Sequence, residues 1–221
     1  RAREAARMAS HRRAAVEARF ASRLGARPIS AERLVMELGR LMDQSVTVVD
    51  EGITAYDALL DHGVFQWPQG YFKARGGNLG WGLGAALGVK LARPDRKVVA
   101  YLGDGSAMFA VQALWTARRY RIPILALVCD NGSYMAVRAA LTAYLASGPA
   151  PAVPAHRGMD AGDLGPAVDW PALAAAFGWP ARRVSDPEEL AGALRWALEV
   201  CEGEPVLLDV VMEKKIPPPP A

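Results

Sequence analysis

The sequence predicts an α/β fold: a three-layer α/β/α domain on a mostly parallel sheet, preceded by a helical arm. Two observations predict it. Short, continuously apolar runs recur along the chain: SVTVVD (Ser45–Asp50), KVVAYL (Lys97–Leu102), IPILALVC (Ile122–Cys129) and PVLLDVVM (Pro205–Met212). Stretches with helical spacing separate most of them. Strands that are apolar throughout, with no polar alternation, are covered on both faces, as in parallel sheets flanked by crossover helices.

The elements follow in order. Residues 1–28 are rich in Ala and Arg, with Met8, Val16, Phe20 and Leu24 as a thin apolar stripe, and Gly25 and Pro28 end the pattern. This reads as a linker helix that packs loosely or against a partner. Glu4 and Glu17 argue against an Arg-rich targeting leader. The domain proper is expected over 29–213. Ser30 is the expected N-cap of SAERLVMELGRLM, with Glu32 in its first turn, where the helix dipole favours a carboxylate. Gly76–Ala92 is a glycine-rich loop entering a helix, and Ser106–Tyr120 reads as one helix. After an irregular Pro/Gly/Ala-rich stretch, 148–165, come the helix DWPALAAAFG, a brief strand ARRVS, and a helix opened by Asp186 with Pro187 in its first turn. Residues 214–221 form a Pro-rich tail that can continue neither element type.

Composition excludes several classes. The chain has 221 residues and a formal charge of +3, but seven arginines crowd the first two dozen positions, so the remainder is near neutral. A polybasic nucleic-acid face is not expected. Cys129 and Cys201 lack metal-ligand spacing and read as small buried hydrophobes in a reduced, cytoplasmic protein. No apolar run of about 18 residues suggests a membrane span. The first residue is Arg, which suggests processing or the carboxyl-terminal part of a longer chain.

The chemistry concentrates at two strand ends. Gly103-Asp104-Gly105 follows KVVAYL, and Asp130-Asn131-Gly132 follows IPILALVC. A right-handed crossover brings consecutive parallel strands to the same edge, and adjacent strand ends lie roughly 5 Å apart. Asp104 and Asn131 would then share one site at the edge where doubly wound sheets bind ligands. A carboxylate, an amide oxygen and backbone carbonyls are hard donors that suit Mg²⁺ or Ca²⁺ over zinc. One carboxylate is too little charge to hold such an ion alone, so a phosphorylated ligand should complete the site. The amides of Gly105, Ser106 and Ala107 open a helix, a ready anion site, and the combination points to a diphosphate. Taken alone, Gly-Asp-Gly would be an ordinary strand-to-helix turn with Asp as N-cap. GWGLGAAL (Gly80, Gly82, Gly84) is a weak dinucleotide signature, since no clear strand precedes it and the last glycine is missing.

With Gly103-Asp104-Gly105 followed after 24 residues by Asp130-Asn131, the segment resembles the cofactor signature of thiamine-diphosphate-dependent enzymes. GDGSAMFAVQALWTARRYRIPILALVCDNGSY is similar to the pyrophosphate-binding domain of the benzoylformate decarboxylase and acetolactate synthase group, and the likeness spans about 29–213. The resemblance implies the thiamine-diphosphate-binding fold, with thiamine diphosphate and Mg²⁺ as cofactors. It implies Asp104 and Asn131 as metal ligands through their side chains and Ser133 through its carbonyl. It places Gly103, Gly105, Ser106, Tyr134 and the hydroxyl of Thr54 at the cofactor; Glu51, an acid ill-suited to phosphates, is expected to serve loop structure instead. It also implies that the Gly77 carbonyl accepts from the aminopyrimidine and that Leu79 wedges beneath the bent cofactor. Asp130 where the family usually has Asn, Met135 where it has Gly, and Gly84 where it has Pro are departures; none removes an implied metal ligand.

By the same resemblance, the activating glutamate lies on a separate pyrimidine-binding domain or subunit, and no candidate for it occurs here. Of the histidines, His11 reads as surface, His62 as loop, and His156 as part of the 148–165 segment. The implied activity is 2-oxo acid decarboxylation, with acetolactate-type carboligation as the alternative and a non-catalytic binding domain as the third. The chain alone is expected to lack turnover, whether a fragment or a separate subunit, and the full enzyme to be a homodimer or tetramer. Trp67, Trp81 and Trp115 suit an interface.

Overall fold

The computed structural model describes residues 1–62, 65, 67–74, 76–147 and 162–214. Among them run six strands: β1 (Val46–Glu51), β2 (Tyr71–Lys73), β3 (Lys97–Gly103), β4 (Leu125–Asp130), β5 (Ala181–Val184) and β6 (Val206–Val211). All pair in parallel, in the order β2-β1-β3-β4-β6-β5. The helices are α1 (Ala2–Arg23), α2 (Ala31–Gly39), α3 (Tyr56–His62), α4 (Gly82–Ala92), α5 (Asp104–Met108), α6 (Ala113–Tyr120), α7 (Met135–Ser147), α8 (Trp170–Ala176) and α9 (Leu190–Val200).

Alternation along the strands builds two cores from one sheet. On β3, Val99 and Tyr101 face a cluster with Leu34 and Leu38 of α2, Leu59 of α3 and Leu194 of α9. Val98, Ala100 and Leu102 face the other, with Leu83 and Leu87 of α4, Leu114 of α6 and Trp170 of α8. The three-layer α/β/α architecture predicted from apolar strands is therefore present. Ser30 caps α2 by accepting from the Arg33 amide (3.1 Å), and Asp169 caps α8 through Ala172 (3.1 Å).

Several expectations need correction. Ser106–Tyr120 is not one helix: residues 109–112 turn through i→i+3 bonds between α5 and α6. The last helix begins at Leu190, and Asp186 instead closes a turn by accepting from the Glu188 amide (2.9 Å). His62 ends α3 and is not in a loop; its ring packs edge-on against Phe20 at 5.6 Å. The arm is also less loose than its thin stripe suggests. Arg19 reaches Asp61 (2.8 Å) and Glu32 (3.3 Å), and Arg23 pairs with Glu213. Of the three tryptophans, Trp115 is exposed, but Trp67 donates to the Val46 carbonyl (3.1 Å) and Trp81 packs against the second core. Both cysteines are buried free thiols, as expected, and burial pushes Cys201 up to about 11. His156 and most of 148–165 and 214–221 lie outside the described residues.

Candidate cofactor site

β1, β3 and β4 are neighbours, with Glu51 opposite Leu102 and Gly103 opposite Cys129, so their carboxyl ends stand in a row. The adjacency assumed for the two glycine-flanked acids is thus met. Asp104, the first residue of α5, is buried. Its Oδ1 accepts from its neighbour's amide, Gly105 N (2.8 Å), and its Oδ2 accepts from Gly132 N (2.7 Å) across the gap between the strands. Among the described residues no lysine or arginine pairs with this carboxylate. Burial, reinforced by nearby Asp130, pushes it up to about 6, against the two amide bonds.

The turn after β4 supplies the remaining oxygens. Asn131 is buried; its Oδ1 accepts from Ser133 N (3.0 Å) and its Nδ2 donates to Thr54 Oγ1 (3.3 Å), which ties the β1 loop to the β4 turn. The Ser133 carbonyl accepts from Met135 N (2.9 Å). Ser133 Oγ donates to the Gly162 carbonyl (2.7 Å). Tyr134 N donates to the same carbonyl (2.8 Å), and Leu164 N returns a bond to Gly132 O (3.0 Å). Residues 162–164 thus clamp the turn, and Arg138 braces the clamp on Asp163 (2.9 Å). Nothing in the sequence pattern announces this pairing. Leu164, Ala167, Val168 and Trp170 go on to wall a narrow cleft floored by Asp104, Asp130 and Gly132.

Glu51 organises the other side. Its buried carboxylate accepts from Trp81 N (3.0 Å) and Gly82 N (2.8 Å), capping α4, while its carbonyl accepts from Ser106 Oγ (3.0 Å). The structural use of Glu51 expected from sequence is the observed one. The Ser106 hydroxyl also faces Gly103 O (2.9 Å), so its proton is spent on backbone. Gly103 is the N-cap of α5, and Gly105 lies under the Tyr134 ring. The helix start offers less to an anion than expected: α5 has only five residues, and the Gly105 amide is turned onto Asp104.

Gly77 and Leu79 are on the exposed loop before α4. Gly77 has φ +67°, which favours glycine. Leu79 is 37% exposed, so it is not a core residue. The loop meets the site through Gly80, packed on Phe109 just after α5.

Among the described residues no three of His, Cys, Asp and Glu cluster as a metal site. The donors that do converge are hard oxygens around one uncompensated buried carboxylate, which suits a magnesium ion that shares its charge with a phosphate. Fold and edge together define a doubly wound α/β domain, a class in which ligands bind at the carboxyl ends of the strands. The chain belongs to the thiamine pyrophosphate enzymes: residues 58–210 match the family model for the C-terminal TPP binding domain. It is 34% identical over 183 residues to a benzoylformate decarboxylase of Pseudomonas aeruginosa, covering 83% of this chain and 32% of that protein. It is 34% identical over 151 residues to the acetolactate synthase isozyme 3 large subunit of Escherichia coli, covering 67% and 25%. Among solved structures, the thiamine diphosphate-dependent 4-hydroxybenzoylformate decarboxylase of Rhodococcus jostii RHA1 superposes with a TM-score of 0.74 at 28% identity, over 87% of this chain and 34% of that one. The chain spans about a third or less of the length of these relatives. The cofactors of this family are thiamine diphosphate and Mg²⁺. No described helix is long and apolar enough to cross a membrane.

Proposed function

We propose that this chain is the diphosphate- and Mg²⁺-holding part of a 2-oxo acid decarboxylase of the benzoylformate type. The observation that carries the reading is Asp104: a buried carboxylate without a cationic partner, at the strand edge it shares with Asn131. Asp104 Oδ, Asn131 Oδ1 and the Ser133 carbonyl would hold the ion. Gly103, Gly105, Tyr134 and the Thr54 hydroxyl line the diphosphate, and Ser106 contributes through its backbone N–H because its hydroxyl is engaged. Gly77 and the exposed Leu79 would face the remainder of the cofactor. Thiamine diphosphate, when bound, supplies the carbanion chemistry. The residues here anchor it, fix its orientation and neutralise its phosphates.

Activation needs a glutamate from a pyrimidine-binding domain or subunit, so the chain alone should not turn over, and the working enzyme would be a homodimer or tetramer. The buried free thiols Cys129 and Cys201 support a cytoplasmic setting. The likeness to the Escherichia coli acetolactate synthase subunit supports a second reading, carboligation. Acetolactate, not acetaldehyde, formed from pyruvate by the complete enzyme would select it.

The test of the site is calorimetric titration of thiamine diphosphate with and without Mg²⁺, on the wild type and on Asp104→Ala. Metal-dependent binding lost in the variant is the expected result. Equal binding by both proteins would refute the assignment.

A further inference from the structure

The Asp104 carboxylate has a second carboxylate beside it. Gly132 N–H donates to Asp104 Oδ2 at 2.7 Å and to Asp130 Oδ1 at 3.1 Å, so one amide draws the two acids to the same point. Both acids and Gly132 also line the cleft beneath Leu164 and Trp170. Like charges in so small a space repel, and one shared N–H does not compensate two of them. Two described cations stand close by: Lys214, whose ammonium lies beside Gly132 but pairs with Asp163 at 3.4 Å, and Arg183. The Arg183 Nε is committed to Asp209 Oδ2 at 2.6 Å, and its Nη2 stands 3.8 Å from Asp130 Oδ2. Counted together, the five acids Asp104, Asp130, Asp163, Asp169 and Asp209 against the three cations Arg138, Arg183 and Lys214 leave two negative charges. A divalent cation supplies the missing charge.

We propose that Asp130 acts with Asp104 on the divalent cation, so that this domain binds the ion before, and independently of, the diphosphate. The inference rests on the cation site assigned above. A single carboxylate leaves Mg²⁺ with one uncompensated charge and makes its retention depend on cofactor phosphate. Two carboxylates neutralise it within the protein, and the number of charged ligands sets cation affinity over decades. Asp130 is thereby a positioning and charge-supplying residue for the ion. Its outer oxygen faces Arg183, and its inner oxygen faces the site.

The experiment is a titration of the protein with Mn²⁺ in the absence of any diphosphate. Free ion is read by electron spin resonance, and Mg²⁺ is added as competitor. One Mg²⁺-competable site per chain is expected. Asp130→Asn, which keeps the side-chain shape, should weaken it at least about tenfold, since a charged ligand is removed. Adding diphosphate should narrow that gap, because the cofactor then brings its own charge. No saturable Mn²⁺ binding by the wild type without diphosphate would overturn the proposal, whatever the variants do. So would an Asp130→Asn affinity equal to wild type while Asp104→Asn abolishes binding, and that result would leave the Asp104 site standing. Binding unchanged in both variants would remove the cation site itself, and with it both readings.

Discussion

Gly105, the second residue of α5, lies directly beneath the Tyr134 ring. A methyl group there would sit 2.5 Å from one ring carbon and 2.8 Å from the next, with Leu164 Cδ1 at 3.4 Å on another side. Ordinary carbon contacts begin near ~3.5 Å, so the ring would have to withdraw by about 1 Å. Its backbone cannot follow freely, because Tyr134 N is bonded to Gly162 O at 2.8 Å. Overpacking of this kind costs about 1–3 kcal/mol. Against it stands a gain of about 0.4–1 kcal/mol from replacing a helical glycine that has no positive φ. In the wild-type background Gly105→Ala should therefore be neutral to destabilising by about 2 kcal/mol. In a Tyr134→Ala background the clash is gone and only the gain remains, so the same change should stabilise. Urea unfolding of the four proteins in the double-mutant cycle measures the coupling, expected at about 1–3 kcal/mol. A coupling below about 0.5 kcal/mol would show that the ring does not rest on Gly105.

Other outcomes follow from single contacts. Glu51→Gln leaves one of the two α4 amides without an acceptor and should cost about 1–3 kcal/mol in chemical denaturation. Asp209, buried on β6, is pushed by burial from 3.8 to about 6 in spite of Arg183. The folded state then holds a proton that the unfolded chain has released, so stability falls as pH rises from about 4 to 6 and is flat above. Asp209→Asn should remove that slope, worth up to about 3 kcal/mol, when unfolding is compared at pH 4.5 and 7. Arg121 ends α6 with φ 53°, and Arg121→Gly should raise stability by about 0.5–1 kcal/mol in the same assay.

Much of this architecture is legible in the chain because both faces of the sheet are apolar and helices alternate with strands. Asp104 and Asn131 could be brought together from the crossover rule alone. What the chain does not show has physical reasons. β2 is the three-residue edge strand Tyr71–Lys73, too short for any period to show. The end of α6 carries Arg in the left-handed region, where a glycine would have marked the stop. The turn at 109–112 contains no breaker, and α5 stops because its Ser106 and Ala107 carbonyls accept i→i+3 bonds from Phe109 and Ala110. The clamp of 162–164 on the β4 turn joins distant segments through a single antiparallel bridge, Ser133 to Asp163, which leaves no pattern in either. Asp209 stands inside an otherwise apolar strand, and its partner Arg183 is on the neighbouring edge strand.

Glu51 joins the three loops of the site: its carboxylate fixes the entry to α4, its carbonyl fixes Ser106, and the strand it ends leads to Thr54. Those loops therefore cannot drift independently over evolutionary time. A transplanted 76–81 loop would need an acid at position 51 to receive it, and a change of side chain at 51 would disturb positions 81 and 82 in one step. Variation in this domain should accordingly accumulate on the outer helix faces, while the strand-end loops are inherited or lost as a set.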